Sequence, residues 1–168
     1  MAQIDKPNTQ FNTVLYTGNA GTQSITGVGF QPDMVWTKQR DAVRNHVLFD
    51  AVRGATKGVK PNESQAEFTW GNSLTSFDTD GFSVGSAGEV NASGSMASWN
   101  WKAGGTASTN TDGSIITNAS VNTTAGFSIV TYTGTGSNAT IGHGLGVKPD
   151  AVFFKRLDTT GGWASYHS

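Results

Sequence analysis

Residues 81 to 85 read Gly-Phe-Ser-Val-Gly, the G-x-S-x-G pattern that carries the nucleophile of many serine hydrolases. That chemistry needs Ser83 on a sharp turn between a strand and a helix, with a base and oxyanion donors in reach. Here Phe82 and Val84 alternate with Ser83 as in an ordinary strand, and SAGEVNASG, which follows, is not a helix-starting sequence. The match is read as coincidence, and no catalytic residue is assigned. Just upstream, Asp78 and Asp80 place two carboxylates at alternate positions, which suits a hard cation such as Ca2+. Asp80-Gly81 is equally a tight-turn signature, and a turn is expected without a metal. His46, His143 and His167 lack the spacing of a metal cluster, and GNAGTQ and RGATKG lack the Gly-Lys-Ser/Thr ending of a phosphate loop. No cofactor is expected.

The aromatic residues remain. Five tryptophans could stack on sugar rings, as aromatic side chains do in glycan-binding sandwiches. Trp36, Trp99 and Trp101 sit in alternating segments and are expected in the core. Trp70, beside Gly71, and Trp163, after Thr-Thr-Gly-Gly, are the candidates for contact with a glycan or a protein partner, together with Tyr166.

The elements that position these residues follow from composition and period. The chain has 168 residues, with 36% hydrophobic and 14% charged side chains and 22 glycines. Such a composition describes short strands and tight turns, since long amphipathic helices need more Leu, Ala, Glu and Lys. A net charge of -1 gives no electrostatic case for nucleic acid or anionic lipid. No cysteine is present, which removes disulfides and thiol chemistry. MAQIDKPNTQ lacks the pattern of a signal peptide, and no apolar stretch approaches the ~20 residues of a membrane helix. Neither nucleic-acid binding nor membrane insertion is expected.

Alternation with a period of two marks FNTVLYT, DMVWTKQ and MASWNWK as strands. QSIT, HVLFD, AEFTW, SLTSFD and GFSVG are further short runs, whereas DAVRGATKGVKPNESQ and AGGTASTNTDG read as loops. The pattern predicts an all-β fold, an antiparallel β-sandwich, with no long helix.

The chain also repeats itself. Phe11, Val14, Tyr16, Thr17 and Gly18 match Phe127, Val130, Tyr132, Thr133 and Gly134. After one inserted residue, Gly29, Pro32, Asp33, Val35 and Lys38 match Gly146, Pro149, Asp150, Val152 and Lys155. The expected organisation is an N-terminal arm over residues 1–10, a sandwich repeat over 11–105, a linker or strand over 106–126, and a partial second repeat over 127–168. A half sandwich exposes an apolar face and open strand edges. The second repeat is therefore expected to pack on further sequence or on a neighbouring subunit in a symmetric, trimeric assembly.

The segments FNTVLYTGN, ITGVGFQPDMVWTKQR, DAVRG, SLTSFDTDGFSVGS and WNWKAGG, with FSIVTYTGTGSNATIGHGLGVKPD and WASYH in the second copy, cover most of the chain from Phe11 onward. In content and order they resemble a repeat of structural and tail-fibre-like virion proteins of marine bacteriophages, of the cyanophage and pelagiphage type. The resemblance implies a jelly-roll, concanavalin A-like or laminin-G-like sandwich with no catalytic or ligand residues to carry over. It implies a non-enzymatic structural protein of the virion, in a fibre, appendage or capsid surface, made in the bacterial host cytoplasm and exposed on the particle. Its partners would be other virion proteins and copies of itself. The alternative is a carbohydrate-binding adhesin that recognises a host surface polysaccharide.

Overall fold

Side chains that alternate with a period of two cannot sit on one face of a helix, and the chain is accordingly all-β, 43% strand and 4% helix. The computed structural model describes residues 6–168. The expected arm is therefore outside the described residues at positions 1–5. From Lys6 the chain makes a 3-10 turn at Pro7–Thr9 and enters the first sheet directly.

Ten elements come from the first part of the chain: β1 (Phe11–Gly18), β2 (Gln23–Ile25), β3 (Met34–Gln39), β4 (Val47–Asp50), β5 (Lys57–Val59), β6 (Phe68–Thr69), β7 (Leu74–Asp78), β8 (Gly81–Val84), the one-turn helix α1 (Gly88–Asn91) and β9 (Gly94–Trp101). The rest supplies β10 (Ser108–Asn110), β11 (Thr117–Asn122), β12 (Phe127–Tyr132), β13 (Ala151–Lys155) and β14 (Trp163–His167). A six-stranded sheet runs in the order β1-β9-β3-β4-β5-β6, and a three-stranded sheet in the order β2-β8-β7. Every strand pair in these sheets is antiparallel. Val35, Val47, Phe49 and Phe68 from the first sheet meet Ile25, Leu74, Phe82 and Val84 from the second across one apolar core, an arrangement consistent with a β-sandwich. Strands β10-β11-β12 form a third sheet and β13-β14 a two-stranded hairpin.

Three local expectations change. Lys57–Val59, read as loop, pairs with β4 and β6, because Gly58 lets the Phe49 and Phe68 rings close over its backbone. Ser108–Asn110, also read as loop, adds to β11. SAGEVNASG makes one helical turn, with no side-chain cap, that turns Asn91 inward. Fully buried Asn91 accepts from the Asn19 amide at 3.0 Å and donates to the Gly21 and Gly85 carbonyls at 2.8 and 2.9 Å. Tertiary hydrogen bonding holds this turn where helix propensity is weak.

The tryptophan expectation is overturned. The inward face of β9 carries Met96, Ser98 and Asn100, all fully buried, while Trp99 and Trp101 lie half-buried on the outer face. Trp36 of β3 also faces outward, edge-on to Trp99 with ring centres 6.1 Å apart. Period-two alternation separates two faces without saying which is inward, and neighbours decide. Here short polar side chains fit inside because Asn100 Nδ2 donates to the Asn12 carbonyl at 3.0 Å and to Ser98 Oγ at 3.1 Å. The aromatic ladder is covered instead by Phe11 and Phe127, whose ring centres lie 4.9 and 6.3 Å from Trp101.

Strands β13 and β14 reproduce the pairing of β3 and β4 with each number raised by 117. Met34↔Asp50 becomes Ala151↔His167, and Thr37↔Val47 becomes Phe154↔Ala164. The hairpin rests on the first part of the chain: the Glu67 amide donates to the Leu157 carbonyl at 2.9 Å, and the Gly161 amide to that of Ser64 at 2.9 Å.

Candidate functional site

The aromatic candidates divide between two places. Trp70 follows β6, and its ring packs on that of Phe68 with centres 4.2 Å apart and planes tilted by 37°. Lys60 Nζ lies 5.7 Å from the Trp70 ring centre and 5.9 Å from that of Phe68. The Lys60 carbonyl accepts from Trp163 Nε1 at 3.0 Å. Trp70 and Trp163 are thus brought to the two ends of one lysine, where the β14 strand meets the loop after β5. Each cation–aromatic contact of this partly exposed kind contributes about 0.5–1 kcal/mol. Glu63 balances the lysine at 3.2 Å.

Tyr166 is elsewhere. It lies three residues beyond Trp163 on β14, hence on the opposite face of the strand. Its half-exposed ring sits under Lys148 Nζ at 5.5 Å. The three candidates do not form one platform. Lys60 itself carries no motif, and only the fold, which puts residues 60 and 163 in contact, reveals it.

Asp78, Asp80, Ser83, His46 and His143 are engaged within the protein. Asp80 accepts the amides of Gly27 at 3.0 Å and Gly29 at 2.6 Å, and these bonds hold its carboxyl below the usual range. A side chain at Gly81 would collide with the Ile25 carbonyl, so the Asp-Gly turn seats itself against β2. Asp78 accepts the hydroxyls of Ser76 at 2.7 Å and Ser83 at 2.6 Å. The two carboxylates thus serve different donors, and among the described residues no group of three or more His, Cys, Asp or Glu is placed to hold a metal ion. Ser83 stands within β8 opposite Ser24, with the hydroxyls 2.9 Å apart, not on a strand-to-helix elbow. His46 accepts from Trp36 Nε1, His143 accepts the Leu145 amide within a turn, and His167 ends β14.

The Asp-Ala-Val-Arg-Gly segment is a structural clamp. Arg53 reaches Asp50 at 2.5 Å, Glu67 at 3.0 Å and the Leu48 carbonyl at 3.3 Å with its side chain almost wholly buried. It ties the end of β4 to the approach to β6, and breaking such a buried network leaves an unpaired charge. Asp33 is a second buried carboxylate. It accepts the amides of Ala103 at 2.7 Å and Gly105 at 3.2 Å, while burial pushes its carboxyl up against the pull of those amides and of Lys102.

Among the described residues no helix is long and apolar enough to cross a membrane. No curated protein and no solved structure matches the chain. The sequence model of one family, described as a domain of unknown function, DUF7483, matches residues 6–168. With nearly the whole chain matched, the protein belongs to the DUF7483 family.

Proposed function

We propose that this chain is a non-enzymatic structural module of a phage virion, a jelly-roll, concanavalin A-like sandwich that displays loops on a fibre, appendage or capsid surface. The observation that carries this reading is the recurrence of one hairpin, β3–β4 and β13–β14, in one register along a single chain. Duplicated β units give reach and many copies of a contact, which is what a particle surface uses. The engagement of Asp78, Asp80 and Ser83 by one another's neighbours fits a scaffold role. Copies of itself in a trimer and other virion proteins are the partners of this reading, and the particle surface its location.

The carbohydrate-binding alternative has less behind it, because the Trp70 ring packs against Phe68 and Trp163 spends its indole N–H on Lys60. Antibodies raised against the chain should label intact phage particles at a fixed position in electron micrographs. Purified particles without the chain would overturn the virion reading. A glycan array that captures an assembled form, with binding lost in Trp70→Ala, would move the function to adhesion.

A further inference from the structure

Strand β1 lies at the edge of the six-stranded sheet, and among the described residues it pairs with β9 alone. The Lys102 amide donates to the Gln10 carbonyl at 2.8 Å, which sets the parity of the ladder. Backbone groups of successive strand residues point to opposite edges, so those of Asn12, Val14 and Tyr16 face β9. Those of Phe11, Thr13, Leu15 and Thr17 point away from it, to the open edge.

Such an edge is a template for further strands. FNTVLYTG carries none of the common deterrents, since it has no charged side chain and no proline. Leu15 adds an apolar side chain, 61% exposed, in the middle of the strand. Two side chains occupy the edge instead. Asn12 Oδ1 accepts the Thr13 amide at 2.9 Å, and Asn12 Nδ2 donates to the Val28 carbonyl at 3.0 Å. Gln23 Nε2 donates to the Thr17 carbonyl at 3.1 Å and to Asn91 Oδ1 at 2.7 Å. Each cap is thus anchored by its other bond, Asn12 on the loop after β2 and Gln23 on the fully buried Asn91.

The two capped groups belong to one rung. Two copies of β1 paired antiparallel about a two-fold axis at Leu15 set Thr13 of each opposite Thr17 of the other. One bond of that rung runs from the Thr13 amide to the Thr17 carbonyl, the pair of groups that Asn12 and Gln23 hold. We propose that Asn12 and Gln23 form an edge guard, an intramolecular contact that keeps β1 from pairing with β1 of a second copy. Self-pairing has to break both caps in both copies, which offsets the main-chain bonds it gains. Contact between copies is thereby steered to other surfaces. The guard does not depend on the virion reading.

The test uses the full chain and its Asn12→Ala/Gln23→Ala variant, with amide hydrogen exchange followed at low and high protein concentration. In the variant the Leu15 amide should exchange at least about tenfold more slowly at high concentration, as β1 pairs with β1. In the unmodified chain it should exchange equally fast at both. Adding Leu15→Lys to the variant should restore exchange that ignores concentration, because a charge on an edge strand opposes pairing. Should the double variant fail to fold, Asn12→Ala alone, which frees the Thr13 amide, is read in the same way. The proposal is overturned if the Leu15 amide of the variant ignores concentration, or if Leu15→Lys leaves its protection in place. Protection of the Leu15 amide in the concentrated unmodified chain would also overturn it, by showing that the caps do not close the edge.

Discussion

His46 shows how one residue's titration follows from its neighbours. Its Nδ1 accepts from Trp36 Nε1 at 2.9 Å, so the ring is neutral with its proton on Nε2. Burial, and then the charge of Lys38, lower its pKa below the usual value of about 6.5. The unfolded chain therefore takes up this proton first as pH falls. The stabilising contribution is complete above the ordinary histidine value and is lost as pH falls through it towards the lowered folded value. Denaturant midpoints should fall between about pH 7 and about pH 5, and His46→Gln, which keeps a neutral acceptor, should flatten that slope. An unchanged slope would remove His46 from the balance. Asp41, Asp80 and Asp158, all lowered, act in the more acidic window, and Asp33, raised by burial, acts with the opposite sign. The difference between the two proteins isolates the histidine.

Among the elements, β9 is central, since it pairs with β1 along its whole length and with β3 over Met96–Trp101. Its two faces make different demands. Trp99 on the outer face is half-buried, whereas Phe49 on β4 is fully buried against Phe68. Truncating Trp99 to Ala should cost about 1.5–3 kcal/mol, the loss of partly covered apolar area. Phe49→Ala should cost about 3–5 kcal/mol, because a cavity is added to the transfer loss. Urea unfolding of both variants checks the ordering, and an equal cost would mean that the outer ladder is packed as tightly as the core.

At the scale of the molecule, stability is unevenly distributed. The six-stranded sheet has a closed core beneath it, while β13 and β14 form a two-stranded hairpin supported at one end by Lys60, Ser64 and Glu67. Two-stranded ribbons are marginal without a packed face, and such regions open locally. The amides that β13 and β14 exchange between themselves should exchange at least about 100-fold faster than those of β9 and β3. Mass-spectrometric exchange on the isolated chain measures this directly, and uniform protection would show that the hairpin is part of one cooperative unit.

The sequence alone determined the all-β class, because period-two alternation and Gly-rich punctuation are local properties of the backbone and its side chains. It also held the repeat: residues 34–50 and 151–167, aligned by their Pro-Asp starts, fold in the same register. Asp80-Gly81 was legible as a turn for the same local reason. What the tertiary structure decided were matters of which neighbour lies above which face. Trp99 faces outward because Ser98 and Asn100 find carbonyl and hydroxyl partners inside. Lys60 joins Trp70 to Trp163 because strands far apart in sequence meet there. Residues 88–91 become helical because Asn91 is drawn into two loops at once, at Asn19 and Gly21 after β1 and at Gly85 after β8. Burial and long-range hydrogen bonding are properties of pairs of segments, and no single segment carries them.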